Sequence, residues 1–169
     1  MSISMYQASV PPLIRTLTSL RGVLEKGLAF VEHWNIDEAV LIHARLYPNM
    51  FSMARQVQIA TDNAKGCASR LAGLEPPAYE DNETTFVELI ARIDRTIDYL
   101  QTISADQIDG SEDRPITLKL RHDTRHFKGM PYLLEYVLPT VYFHVVTAYA
   151  ILRHNGVEIG KKDYLGSTD

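Results

Sequence analysis

The chain has 169 residues, 46% of them apolar and 22% charged, with a net charge of −4; a chain of this length suits one domain burying roughly 70% of its unfolded surface, and the composition is too apolar for a disordered one. The acidic balance carries no basic cluster and so argues against nucleic acid as a partner. The lone Cys67 excludes an internal disulfide and fits a reducing compartment.

No apolar run approaches the roughly 20 residues that span a bilayer, and the opening MSISMYQASVPPLIRTL lacks the charged flank and continuous apolar run of a signal peptide. A single cytoplasmic domain over residues 1–169 is therefore predicted, with no membrane partner.

In chain order, Leu13, Leu17, Leu20, Leu24, Leu28 and Val31 step by three or four, the spacing of a helix with one buried stripe. Pro11 and Pro12 suit its first turn, or a kink after a short leading turn. After a connection at His33–Ile36, Asp37 is placed to cap a short helix through Leu46. A second long helix is predicted from near Pro48 to Leu71, closed by Gly73. Its apolar face holds Met50, Met53, Val57, Ala60, Ala64 and Leu71, and beside it Asn49, Gln56 and Asn63 recur every seven residues as a polar column.

The stretch LEPPAYEDNE reads as a loop, with Asp81 or Asn82 as the next cap. A third long helix carries Phe86, Ile90, Ile93, Ile97 and Leu100, and SADQIDGSEDRP reads as a surface loop. In PITLKLRH, residues 115–122, Ile116, Leu118 and Leu120 alternate with Thr117, Lys119 and Arg121, the period of a half-buried strand in a hairpin or flap.

The last helix spans Pro131 to His154, with Asn155-Gly156 as its left-handed cap. Its stripe is Leu134, Leu138, Val141, Val145, Ala148 and Leu152. His144 stands on one flank with Thr140, Thr147 and Ile151, while Tyr142, Tyr149 and Arg153 stand on the other. Phe143 and Ala150 fall opposite the core. An apolar outer face calls for a cover: a second copy in a homodimer, or the strand segment, the N-terminal segment or the tail. Four long helices with short connections give an all-α, up-and-down four-helix bundle with a small β-strand or hairpin insertion before the last helix.

Four stretches carry a resemblance: RLYPNMFSMARQV (45–57), AKGCASRLAGLEPP (64–77), TTFVELIARIDRTIDYL (84–100) and FHVVTAYAILRHNGVEIGKKDYLG (143–166). Together they resemble a bacterial family of unknown function in the DinB/YfiT-like superfamily, over essentially the whole chain. The resemblance implies a four-helix bundle, often dimeric. In many relatives it implies a divalent metal held by three histidines, one on the second helix and two spaced by four on the last, with several such relatives acting as thiol-dependent transferases or isomerases. Matched by position, the implied ligands fall on Gln56, Thr140 and His144, so one histidine of three stands in this chain.

An amide, a hydroxyl and one imidazole make a poor zinc or nickel site. The reading is therefore a protein without a cofactor that has lost the three-histidine metal site and binds a small polar ligand between the second and fourth long helices. The alternative is a metal- or thiol-dependent transferase in which His144, with Gln56, is the metal ligand, or His144 is a general base. Against both stands a buried neutral histidine that donates to a carbonyl or to Gln56.

The candidate ligand pocket comprises Asn49, Gln56, Asn63, Thr140, His144, Tyr149 and Arg153. Tyr149 and Arg153 suit an anionic group, or else Arg153 pairs with an acidic neighbour. His122 and His126 fall in strand and loop, where a four-residue spacing makes no metal-binding pair, and no HExxH, GxSxG, P-loop or dinucleotide fingerprint occurs. Cys67 reads as a small buried residue.

Overall fold

The computed structural model describes residues 2–120 and 122–166. The chain is mostly helical, and four long helical spans carry its core. Helix α1, Met5–Trp34, is capped by Ser4, whose hydroxyl accepts from the Gln7 amide while the Gln7 side chain accepts from the Ser4 amide. Pro11 and Pro12 lie inside this helix rather than in its first turn, so the Gln7 and Ala8 carbonyls lack their usual i+4 donors. Asn35 ends α1 in the left-handed conformation.

A short α2, Ala39–Ile42, follows, and the Asp37 carboxylate accepts from the Ala39 amide at 2.9 Å. This helix stops before the Leu46 expected from sequence.

Helix α3, Met53–Ala72, is capped by Ser52 and closed by Gly73 at φ 74°. It begins five residues after Pro48, so Asn49 and Met50 lie in the preceding turns and not on the helix. Helix α4, Phe86–Gln101, is capped by Thr85 with Glu88 in a reciprocal box, so the cap is neither Asp81 nor Asn82.

The segment expected to be only surface loop holds a short α5, Ala105–Ile108, with Ile108 fully buried. Strand β1, Pro115–Lys119, pairs antiparallel with β2, Thr124–Lys128, in the register Ile116 opposite Phe127. Ile116 and Leu118 face inward as the alternation requires, while Leu120 lies beyond the strand and is exposed; Arg121 lies outside the described residues.

After the hairpin, α6 (Gly129–Pro131), a π-helical turn (Tyr132–Val137) and α7 (Leu138–His154) make one continuous helix of 26 residues. The π turn explains a correction. One extra residue per turn rotates everything before it by about 100°, so Leu133 and Val137 are buried where Leu134 and Leu138 were expected, and Leu134 is 49% exposed. Below the turn the stripe Val141, Val145, Ala148 and Leu152 is buried as the spacing predicts.

By length and composition alone Gly129–His154 is long and apolar enough to cross a membrane, which corrects the reading that no segment reaches that length. The same properties belong to core helices, and here α7 packs along α3. Helix α1 packs against α4 and also meets α3 and α7. A final α8, Lys161–Leu165, folds back on α1 through Lys26–Asp163 at 2.6 Å. Cys67 is fully buried, and burial pushes its thiol pKa up to about 12, which leaves it an inert packing residue.

Candidate functional site between α3 and α7

Packing α7 onto α3 brings two of the seven predicted pocket residues together. Gln56 sits in the first turns of α3, 1% exposed, and His144 is half-buried on α7. His144 Nδ1 and Gln56 Oε1 are 2.6 Å apart, and the other end of the amide is committed, because Gln56 Nε2 donates to the Phe51 carbonyl at 3.1 Å. With the amide nitrogen facing Phe51, its oxygen must accept, so His144 carries its proton on Nδ1 and leaves a lone pair on Nε2. Nε2 has no hydrogen-bond partner among the described residues and is not among the buried, unpartnered atoms, which places it in reach of solvent.

Burial lowers the His144 pKa below its ordinary 6.5, and the positive charge of nearby Arg55 lowers it further. Both effects favour the neutral imidazole. A folded pKa below the unfolded one means the unfolded chain binds the proton more readily, so this contribution to stability is complete above pH 6.5 and is lost as pH falls through the folded value. Phe143 lies edge-on to the imidazole, centroids 5.2 Å apart, and it is exposed, as is Phe51. The site is therefore one imidazole acceptor beside one exposed aromatic ring, that of Phe143.

The remaining predicted residues lie elsewhere or are engaged locally. Asn49 is exposed, outside α3, which breaks the seven-residue column at its first member. Asn63 donates to its own Ile59 carbonyl at 2.9 Å, and the Thr140 hydroxyl to Tyr136 at 2.6 Å. Tyr149 reaches the Ile159 carbonyl at 3.5 Å and packs edge-on against Tyr164, and Arg153 is exposed in the last turn of α7. His122 is exposed at the hairpin turn, and His126 on β2 meets the Thr117 hydroxyl at 3.2 Å.

Among the described residues, no three His, Cys, Asp or Glu side chains converge as a metal site would require. Removing the Gln56 amide strands the Phe51 carbonyl and the His144 Nδ1 proton in partly buried positions. Gln56→Ala is therefore expected to cost about 1–3 kcal/mol in urea unfolding; a loss within error of zero would show that the pair holds nothing.

A second polar cluster, not anticipated from sequence, lies between α3, α4 and the 74–84 loop. The Arg92 guanidinium, only 1% exposed, donates to Thr61 Oγ1 (2.8 Å), the Glu80 carbonyl (2.8 Å), Glu83 Oε1 (2.9 Å) and Asp62 Oδ1 (2.8 Å), and lies 3.0 Å from Asp81 Oδ1. Lys65 pairs with Asp62 at 2.7 Å, Arg55 with Asp81, and Gln58 with Glu83 at 2.9 Å. The Tyr79 ring lies beneath Arg95, 3.6 Å from its centroid. Every charge in the cluster has a partner, and the arrangement clasps the loop to the helices. The cue in the sequence was local: Arg92 stands one residue before Ile93, at the edge of the α4 stripe.

Comparison with known proteins places the chain. A solved structure described as a DinB family member from Shewanella denitrificans, at 1.83 Å resolution, is similar with a TM-score of 0.87 and 38% identity over 96% of this chain and 92% of that one. No curated protein matches. A family model described as "Domain of unknown function (DUF1993)" matches residues 5–165. The chain therefore belongs to the DUF1993 family, a family of unknown function related to DinB proteins.

Proposed function

We propose that the four long helices form an up-and-down bundle of the DinB/YfiT-like kind without the three-histidine metal site, and that the Gln56–His144 pair is the polar element of a small-ligand site between α3 and α7. The observation that carries this reading is the double commitment of the Gln56 amide, to Phe51 on one side and His144 on the other. A metal shared by Gln56 and His144 needs the lone pairs of Oε1 and Nδ1 turned to a common point. A proton lies between them instead, and the Thr140 hydroxyl is engaged with Tyr136. One remaining imidazole nitrogen does not meet the donor set that zinc or nickel requires.

In this reading the Nε2 lone pair accepts a hydrogen bond from a neutral polar ligand, and Phe143 supplies apolar contact. A cytoplasmic homodimer, with the exposed Phe143 and Val146 covered by a second copy, belongs to the same proposal.

Elemental analysis of untagged protein purified without chelators, beside His144→Ala, tests it. The expected result is no stoichiometric zinc, nickel or iron in either sample. One equivalent in the wild type that disappears in His144→Ala would replace this reading with the metal-dependent one. The neutral, solvent-reaching Nε2 also supports a second reading, a thiol-dependent transferase with His144 as general base. That reading requires thiol-conjugating activity which His144→Ala abolishes with the fold intact, and a screen that stays blank across pH removes it.

A further inference from the structure

Away from the Gln56–His144 pair, the opposite flank of α7 meets α1 and α8 in a groove of about 490 Å³ whose walls include Pro11, Pro12, Arg15, Tyr142, Tyr164 and Leu165. Arg15, like Arg45, Arg70 and Arg114, makes no ion pair among the described residues and bonds a neutral acceptor instead; what sets it apart is its place in the wall of this groove. Arg21, Lys26, Arg55, Lys65 and Arg92 are each ion-paired, whereas the one hydrogen bond of Arg15 among the described residues goes to a neutral acceptor, the Leu165 carbonyl at 3.2 Å. That contact uses one Nη2 hydrogen, and the other guanidinium donors have no partner among the described residues.

The nearby carboxylate, Asp163, is held by Lys26 Nζ at 2.6 Å and the Gly160 amide at 2.7 Å, so it does not neutralise Arg15. Tyr142 and Tyr164 add two hydroxyls with no hydrogen-bond partner among the described residues. Burial, with the Tyr142 phenol beside it, raises the pKa of Tyr164, so that hydroxyl stays a donor. The two proline rings from α1, the tyrosine rings and Leu165 give the wall its apolar surface, beside the polar Gln7, Thr16 and Ser19.

We propose that this groove binds a small monocarboxylate with an apolar body, its carboxylate on Arg15 with the Tyr142 and Tyr164 hydroxyls and its body against Pro11, Pro12 and Leu165. A single available guanidinium matches a single negative charge and can hold a carboxylate in bidentate fashion. The adjoining groove of about 540 Å³ shares Arg15 and Ser19, but its Lys26 is already paired with Asp163, so no second cation is offered to a dianion. The volume lies within the range of small-molecule sites. The proposal is independent of the Gln56–His144 reading, since no residue is shared.

The test is a titration of the full chain, followed by amide chemical shifts, with benzoate and hexanoate as carboxylate probes, benzamide as the neutral counterpart and inorganic phosphate as the dianion. At least one carboxylate is expected to saturate with a Kd below ~1 mM, shifting Arg15, Tyr142 and Leu165, while benzamide does not. Arg15→Gln is expected to weaken binding about tenfold or more and Tyr142→Phe by a smaller factor, as charged bonds outweigh neutral ones. The proposal is overturned if neither carboxylate saturates, if the shifts map elsewhere, if both variants bind as the wild type does, or if phosphate binds more tightly than both carboxylates. Chemical-shift mapping in the wild type decides the matter even if a variant fails to fold.

Discussion

Arg92→Leu is expected to destabilise the protein by about 3–5 kcal/mol, the usual cost of removing one partner from a buried ion network. Its partners differ in what remains to them. Asp62 keeps Lys65 and Asp81 keeps Arg55, but Glu83, whose side chain is 8% exposed, retains only the Gln58 amide. Thr61 Oγ1 and the Glu80 carbonyl lose a buried donor as well.

The penalty therefore falls mainly on Glu83 and on the order of the 74–84 loop, which becomes more open to proteolysis. Arg92→Lys keeps the charge but cannot span five acceptors, and it is expected to fall between the two. Urea unfolding measures the loss, and limited proteolysis locates it; a loss under about 1 kcal/mol would mean the network contributes nothing net, as surface pairs often do.

Gly129→Ala is expected to cost about 3 kcal/mol, at the upper end for overpacking. Gly129 is fully enclosed where β2 turns into the long helix, and a Cβ there overlaps the Ser111 carbonyl oxygen and comes 3.3 Å from Leu71 Cδ2. Backbone cannot step aside cheaply at this point, because the Met130 amide holds the neighbouring Glu112 carbonyl at 2.9 Å. Gly22, in the middle of α1, has nothing within 4 Å of its would-be Cβ and an ordinary helical backbone. Gly22→Ala should therefore stabilise by about 0.5–1 kcal/mol through helix propensity. Thermal unfolding of the two variants side by side is expected to move the midpoint in opposite directions, and a shared sign would contradict the packing described at Gly129.

What was legible in the sequence follows from which physical signals are periodic. The α1 stripe from Leu13 to Val31 and the hairpin face of Ile116 and Leu118 were readable because burial repeats at helix and strand spacing. The π turn was not, since Leu133-Leu134 and Val137-Leu138 are apolar pairs and either register satisfies the period; only the backbone shift chooses Leu133 and Val137. The start of α3 was misplaced because Pro48 suggests a first turn, whereas the hydroxyl of Ser52 is what caps the helix. Thr85 and Glu88 do form a recognisable capping box, and the acidic residues just before it drew the boundary away from it.

At the site, the Gln56–His144 contact was one of the alternatives the sequence left open, with Gln56 picked out by the seven-residue polar column and by the resemblance. The Phe51 carbonyl that orients the amide was not, because it belongs to a turn with no periodic signature. Arg92 escaped for the opposite reason: a charge at the edge of a stripe ordinarily means a solvated face, and only the folded loop supplies its carboxylates.

The most direct test of the account is the tautomer and titration of His144, read from long-range nitrogen–proton correlations of the imidazoles in labelled protein and assigned with His144→Gln. The hydrogen bond to Gln56 predicts a neutral ring protonated at Nδ1, with a bare Nε2 and a pKa below the ordinary 6.5. A ring protonated at Nε2, or one whose nitrogen signals report a bound metal, would contradict it.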